Sequence, residues 1–178
     1  MGVKLHNKLT VAVFVLAVVV YGCSDRPRGV SQSEADRLRC QRQIRCAAYC
    51  VLQYLAEHDG QFPRTLEEAV SGEAGEQMAQ RLTQCPVKGA AAKYIYVDWS
   101  RWFTNGAVPK DYPLIYESKR NLHGDGINVA LRDGSVFWDE GARWITDFGK
   151  THPDYRLEIP QYLSCTSGVR NANHSGSR

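Results

Sequence analysis

The stretch from Ser33 to Asp59 constrains the chain more than any other. Cys40, Ile44, Ala47, Val51 and Leu55 recur at spacings of three and four, which lines them up along one face of a helix. Arg39, Arg42, Arg45 and Gln53 fall on the other side, so the helix has one buried stripe and one wet flank. Ser33 and Asp36 have capping-box spacing at its start. Gly60 is the expected stop, since glycine takes a left-handed C′ conformation without steric cost. Downstream, the chain reads as short strands and turns that need such a helix to cover one face. The expected fold class is α+β: a long N-terminal amphipathic helix packed on a small antiparallel β-sheet, with short accessory helices.

The accessory elements follow in order. Thr65 and Glu68 repeat the capping spacing, so a short helix starts at Leu66 and buries Leu66, Ala69 and Val70. Gly72 and Gly75 are expected to interrupt it before a second helix at Glu76 to Leu82, and Cys85-Pro86 ends helical structure. Tyr94 to Val97 and Pro113 to Glu117 read as strands, rich in β-branched and aromatic residues. Between them, Trp99, Trp102 and Phe103 stand in a loop that is either a binding surface or a folded-back mini-core. Asp133-Gly134 is expected to be a two-residue type I′ turn between Ile127–Arg132 and Ser135–Trp138. That register sets Leu131 opposite Val136 and Val129 opposite Trp138, giving with Ile127 an apolar face for the long helix. Asp139 is placed to cap a last helix sharing Trp144, Ile145 and Phe148 on one face, with Gly149 as its stop.

The amino terminus has a different character. Lys4 and Lys8 precede an uncharged run, Leu9 to Tyr21, shorter than the ~20 apolar residues a bilayer span needs. It reads as a signal-peptide core. The run ends in Val20-Tyr21-Gly22-Cys23, which resembles a lipobox, so Cys23 is the expected lipidation site. Pro27 and Gly29 break any continuous helix into the soluble part. The chain carries a formal charge of +3, and loss of Lys4 and Lys8 with the leader brings it closer to neutral. That balance leaves no electrostatic footprint for nucleic acid.

Export places the remaining cysteines, Cys40, Cys46, Cys50, Cys85 and Cys165, in an oxidising compartment. Five cannot all pair. The preferred bond is Cys40 to Cys85, with Cys165 tied to Cys46 or Cys50, each closure stabilising by roughly 2–4 kcal/mol. Cys46 and Cys50, one turn apart near Arg42 and Arg45, are either reactive thiols or structural ones. His123-Gly124-Asp125-Gly126 offers an imidazole and a carboxylate to a metal, with His123 and Asp125 as weak ligand candidates. The alternative is a tight turn in which His123 bonds backbone near Asp133. No nucleophile elbow, H-E-x-x-H or phosphate loop is present, so no catalytic residue is assigned.

Several pieces, in order, carry a resemblance: Cys40 and Ile44 through Tyr54, Asp59-Gly60-Gln61-Phe62-Pro63, Cys85-Pro86 and Pro113-Leu114-Ile115-Tyr116-Glu117. Last comes His123, with nine residues before Asp133-Gly134. The chain resembles type II secretion pseudopilins, and more closely the pseudopilin-like bacterial proteins with an H-x9-DG motif. It departs from them in lacking a prepilin-peptidase site before the apolar run and in carrying Ser135 where a His usually follows Asp-Gly. The resemblance implies a pseudopilin-like body over residues 33–165. A lipoprotein-type signal peptide at 1–22, an anchor linker at 23–32 and a disordered tail at 166–178 complete the expected organisation. Major pseudopilins often bind calcium in a loop; the carboxylates here do not follow that pattern, and no cofactor is expected.

The expected function is therefore a non-catalytic envelope protein, membrane-anchored with its body in the periplasm or at the cell surface, acting with other envelope or secretion-apparatus proteins. Its working surface would be the sheet edge and the loop Trp99 to Phe103. Two alternatives stand beside it. One is a true pseudopilin held by an uncleaved N-terminal helix; the other is a periplasmic metal- or thiol-dependent protein using His123 and Asp125.

Overall fold

The long amphipathic stretch folds as α1 (Gln32–Glu57). In this computed structural model, residues 31–74, 76–103, 107–120 and 122–162 are described. The expected signal peptide, Cys23, Cys165 and the tail lie outside them, as does nearly all of the linker. The whole expected stripe of α1 is buried, and Ala48 and Cys50 join it. Its ends differ from expectation by small steps. The cap is Ser31, whose extended backbone lets Oγ accept the Glu34 N–H at 3.2 Å. Ser33 is already helical and instead donates to the His123 carbonyl at 2.7 Å. At the other end Asp59 takes the left-handed C′ position (φ 52°), which a short polar side chain tolerates. Gly60 follows at φ 79°, its N–H donating to the Leu55 carbonyl at 2.8 Å.

Helix α2 (Leu66–Ala74) starts where expected and buries Leu66, Ala69 and Val70. Thr65 Oγ1 accepts the Glu68 N–H, and the Glu68 carboxylate reaches back to the Arg64 N–H. This helix runs on through Gly72, and α3 (Glu76–Leu82) comes after it. Among the described residues no helix is long and apolar enough to cross a membrane.

Five strands follow: β1 (Gln84–Cys85), β2 (Gly89–Tyr96), β3 (Pro113–Glu117), β4 (Gly126–Leu131) and β5 (Val136–Glu140). They form one antiparallel sheet in sequence order, so the α+β class is as expected. The hairpin between β4 and β5 is not. Gly134 alone takes positive φ (86°), and Asp133 does not, which rules out type I′. The Gly134 N–H donates to Leu131 O and the Leu131 N–H to Ser135 O, giving a three-residue loop with a glycine bulge. The register is therefore Ala130 opposite Val136, Val129 opposite Phe137 and Asn128 opposite Trp138.

That one-residue difference turns β4 over relative to expectation. Asn128 and Ala130 face α1, with Trp138 under the Arg37 guanidinium and Asn128 Nδ2 donating to the Arg37 carbonyl. Val129 and Phe137 face the opposite layer, where α4 (Arg143–Thr151) lies and Trp144 meets Phe137 edge-on. Asp139 caps α4 as expected, accepting the Trp144 and Ile145 N–H groups at 2.9 and 3.0 Å. The helix does not stop at Gly149 but two residues later. The sheet is thus a middle layer, which is why every residue of β3 is buried.

The aromatic loop folds back. Trp99 is fully buried and donates Nε1–H to the Pro113 carbonyl at 2.8 Å. Its ring meets Trp102, Phe103, Tyr112 and Tyr155 in edge or tilted contacts with centroids 5.0–5.9 Å apart. Of the three loop aromatics only Trp102 is exposed. Of the two readings of this loop, the folded-back mini-core is the one that forms, and the loop is not available as the working surface.

Candidate functional site

The face of the sheet under α1 should be apolar, and most of it is. Toward one end, however, four ionisable side chains from separate elements meet in the interior. Cys40 comes from the buried stripe of α1, Cys85 from the end of β1, Glu117 from the end of β3, and His123 from the turn entering β4. All four are buried, and Cys40, Cys85 and Glu117 have no exposed surface at all.

Local sequence explains their placement. Glu117 is the last residue of an otherwise apolar strand and stands opposite Tyr94, so the pleat turns it toward α1. Asn128 on the neighbouring strand fixes it: the Asn128 N–H donates to Oε2 at 2.7 Å and Nδ2 to Oε1 at 3.2 Å. His123 sits in the turn His123-Gly124-Asp125-Gly126, and the glycines there are steric requirements. Gly124 has φ 124°, and a Cβ on Gly126 would lie 2.5 Å from the Trp138 ring and 2.7 Å from the Asp139 carbonyl oxygen. The Ser33 hydroxyl holds the His123 carbonyl against α1.

His123 Nε2 then lies 3.4 Å from Cys85 Sγ and 3.5 Å from Glu117 Oε1. Cys40 Sγ is 3.5 Å from the Tyr94 hydroxyl. The two sulfurs and an imidazole nitrogen all lie within 4.8 Å of one another. The electrostatics follow from this crowding. A hydrogen bond from the Cys40 thiol, then others from His123 and the Val87 and Lys88 N–H groups, lower Cys85 to about 5 against the effect of burial. The bond to Cys85 and burial together push the Cys40 thiol up. Burial alone pulls His123 down, but hydrogen bonds and negative charge from Cys85 and Glu117 outweigh it and raise the imidazole to about 9. The arrangement is a row of thiol, imidazole and carboxyl groups with a second thiol beside it.

Several expectations are corrected here. Cys40 and Cys85 do meet, their sulfurs within 4.8 Å of one another, but no disulfide joins the described cysteines. Cys46 is half-buried, and burial raises its thiol more than Arg45 lowers it, so it is not an activated thiol; Cys50 is buried in the stripe of α1. Asp125 does not share a site with His123: it is exposed and takes the Tyr162 hydroxyl at 3.1 Å and Arg120 at 3.5 Å. Nor does His123 approach Asp133, because β4 separates them, and its six residues span about 20 Å. Asp133 holds the far turn instead, accepting the Ser135 N–H at 2.8 Å.

Glu117, Asn128 and Tyr94 were missed as site residues. The available signal was the acid closing Pro113-Leu114-Ile115-Tyr116-Glu117, since a charge at the end of a wholly apolar strand needs a partner. A shallow surface hollow of about 300 Å³ is lined by His123 itself with Ser33, Arg37, Asp125 and Trp138 among others. The sulfurs do not line it. No family model, no curated protein and no solved structure matches this chain.

Proposed function

We propose that the chain is a non-catalytic, lipid-anchored envelope protein whose pseudopilin-like body acts in assembly or protein interaction related to type II secretion. One observation carries the non-catalytic part: of the reactive groups that cluster, Cys40, Cys85 and Glu117 have no exposed surface, and only His123, 5% exposed, borders the hollow. A substrate needs a concave opening onto such groups, and the nearby hollow does not reach the sulfurs. The α+β body, with a long helix laid on an antiparallel sheet, supports the likeness to pseudopilins at the level of architecture. The anchor rests on the lipobox-like Val20-Tyr21-Gly22-Cys23. With the aromatic loop taken up in a core, the working surface is the outer strand β5, which among the described residues pairs on one side only and could receive an added strand from a partner.

Intact mass with peptide mapping of the membrane-extracted protein tests the anchor. The expected product begins at Cys23 and carries a diacylglycerol-type mass increase. A product with Met1 and an unmodified Cys23 would replace this reading with a pseudopilin held by an uncleaved helix.

A further inference from the structure

We propose that Cys40, Cys85 and His123, with Glu117 closing the set, form a structural zinc site that fastens α1 to the sheet. Two thiols and an imidazole are the donors that select zinc among common divalent ions, and a carboxylate oxygen is an accepted fourth. Cys40, Cys85 and His123 bring their donor atoms within 4.8 Å of one another, and Glu117 reaches the group through His123. Bonds of about 2.3 Å to sulfur and 2.0 Å to nitrogen imply ligand-to-ligand edges of roughly 3.3–3.8 Å. The Cys85–His123 and His123–Glu117 separations, 3.4 and 3.5 Å, fall in that range, and Cys40 Sγ lies within 4.8 Å of the other sulfur and the imidazole.

The surroundings supply outer partners for Glu117, Cys40 and the His123 backbone, while His123 Nδ1 is buried with none among the described residues. Asn128 holds both carboxylate oxygens of Glu117, the Tyr94 hydroxyl meets Cys40, and Ser33 fixes the His123 backbone. Such outer partners orient ligands and tune affinity. The ligands come from α1, β1, β3 and the turn entering β4, so one ion would tie four elements together. Four buried ionisable groups in an otherwise apolar core are costly unless paired or bound to a metal. The site is independent of how the chain is anchored.

The test uses the full chain, reduced and stripped of metal, then equilibrated with zinc and desalted. About one zinc per chain is expected, falling to less than about a tenth in Cys85→Ser and unchanged in Asp125→Asn and Cys46→Ser. Cobalt in place of zinc should give tetrahedral visible bands with thiolate charge transfer. Asn128→Ala should weaken binding by roughly 10–100-fold. His123→Cys guards against a Cys85→Ser chain that does not fold: it supplies another soft ligand and should keep the cobalt spectrum with added thiolate absorption. Failure of the reduced chain to retain zinc overturns the proposal. So does recovery from membranes of Cys40 and Cys85 joined as a disulfide, lighter by the two thiol hydrogens.

Discussion

Glu117 is the residue whose role is least visible from its neighbours in sequence and most consequential in the fold. Its carboxylate takes two hydrogen bonds from Asn128 and faces the His123 imidazole, with no contact to solvent. Removing it leaves an imidazole and an amide buried without their acceptor, and loss of one partner from a buried ion pair costs about 3–5 kcal/mol. Glu117→Ala in the metal-free protein should therefore lower the unfolding free energy from urea titration by an amount in that range, while Glu117→Gln, which keeps one acceptor oxygen, should lose roughly half. A change below about 1 kcal/mol in Glu117→Ala would mean water enters the cluster. Asp133 makes a prediction of opposite kind, at the surface. Hydrogen bonds from the Ser135 side chain and N–H hold its carboxyl below the usual range. A depressed carboxyl contributes stability above its unfolded pKa of about 3.9 and loses it as pH falls through the folded value. Asp133→Asn removes that titration, so it should flatten the acid limb of a stability-against-pH curve by lowering neutral stability while leaving stability at low pH nearly unchanged.

At the scale of elements, what the sequence reveals depends on how local the determining physics is. The buried stripe of α1, the starts of α2 and α3, and the bounds of β3 follow from spacing, caps and composition within a few residues, and these are as expected. The β4–β5 hairpin shows the limit. Asp133-Gly134 marks a turn, but whether the loop has two residues or three depends on whether Asp133 adopts positive φ, and neighbouring packing decides that: a Cβ on Gly134 would lie 3.3 Å from Leu52 of α1. One residue of slip moves Val129 from the α1 side to the α4 side. The apolar alternation of β4 gave no warning, because both faces of a middle strand are buried. The same strand layout makes Asp139 a long-range cap: it sits in β5 yet accepts two N–H groups at the start of α4. Ala142, at the cap position itself, offers no side-chain bond. Asp139→Ala should cost about 1–2 kcal/mol. Hydrogen exchange should show the loss first in the opening turn of α4, with α1 protected as before.

For the whole molecule, one continuous core covers both faces of the sheet, and its two sides divide the work. The α1 side carries the thiol–imidazole–carboxylate cluster, whose members sit far apart in sequence and therefore could not be assembled from motifs. The other side carries the aromatic cluster around Trp99, which also holds the end of the described chain: Tyr155 packs on Trp99, and the Tyr116 hydroxyl donates to the Glu158 carbonyl at 2.7 Å. Gln161 completes the tie, its N–H donating to Ser118 and its carbonyl accepting from Arg120. If the loop aromatics were a surface for partners, removing one would leave stability unchanged. As a core, Trp99→Ala should cost about 3–5 kcal/mol. It should also free the segment around Tyr155 to Gln161, so that limited proteolysis cuts at Arg156 well before the sheet unfolds. Trp99→Phe separates the two contributions of the indole. It keeps most of the ring packing but leaves the Pro113 carbonyl without its donor, a loss of about 1–2 kcal/mol. Equal destabilisation by both variants would assign the loop's fold to that single hydrogen bond. A larger loss in the alanine variant, the expected result, assigns it to the cluster of rings.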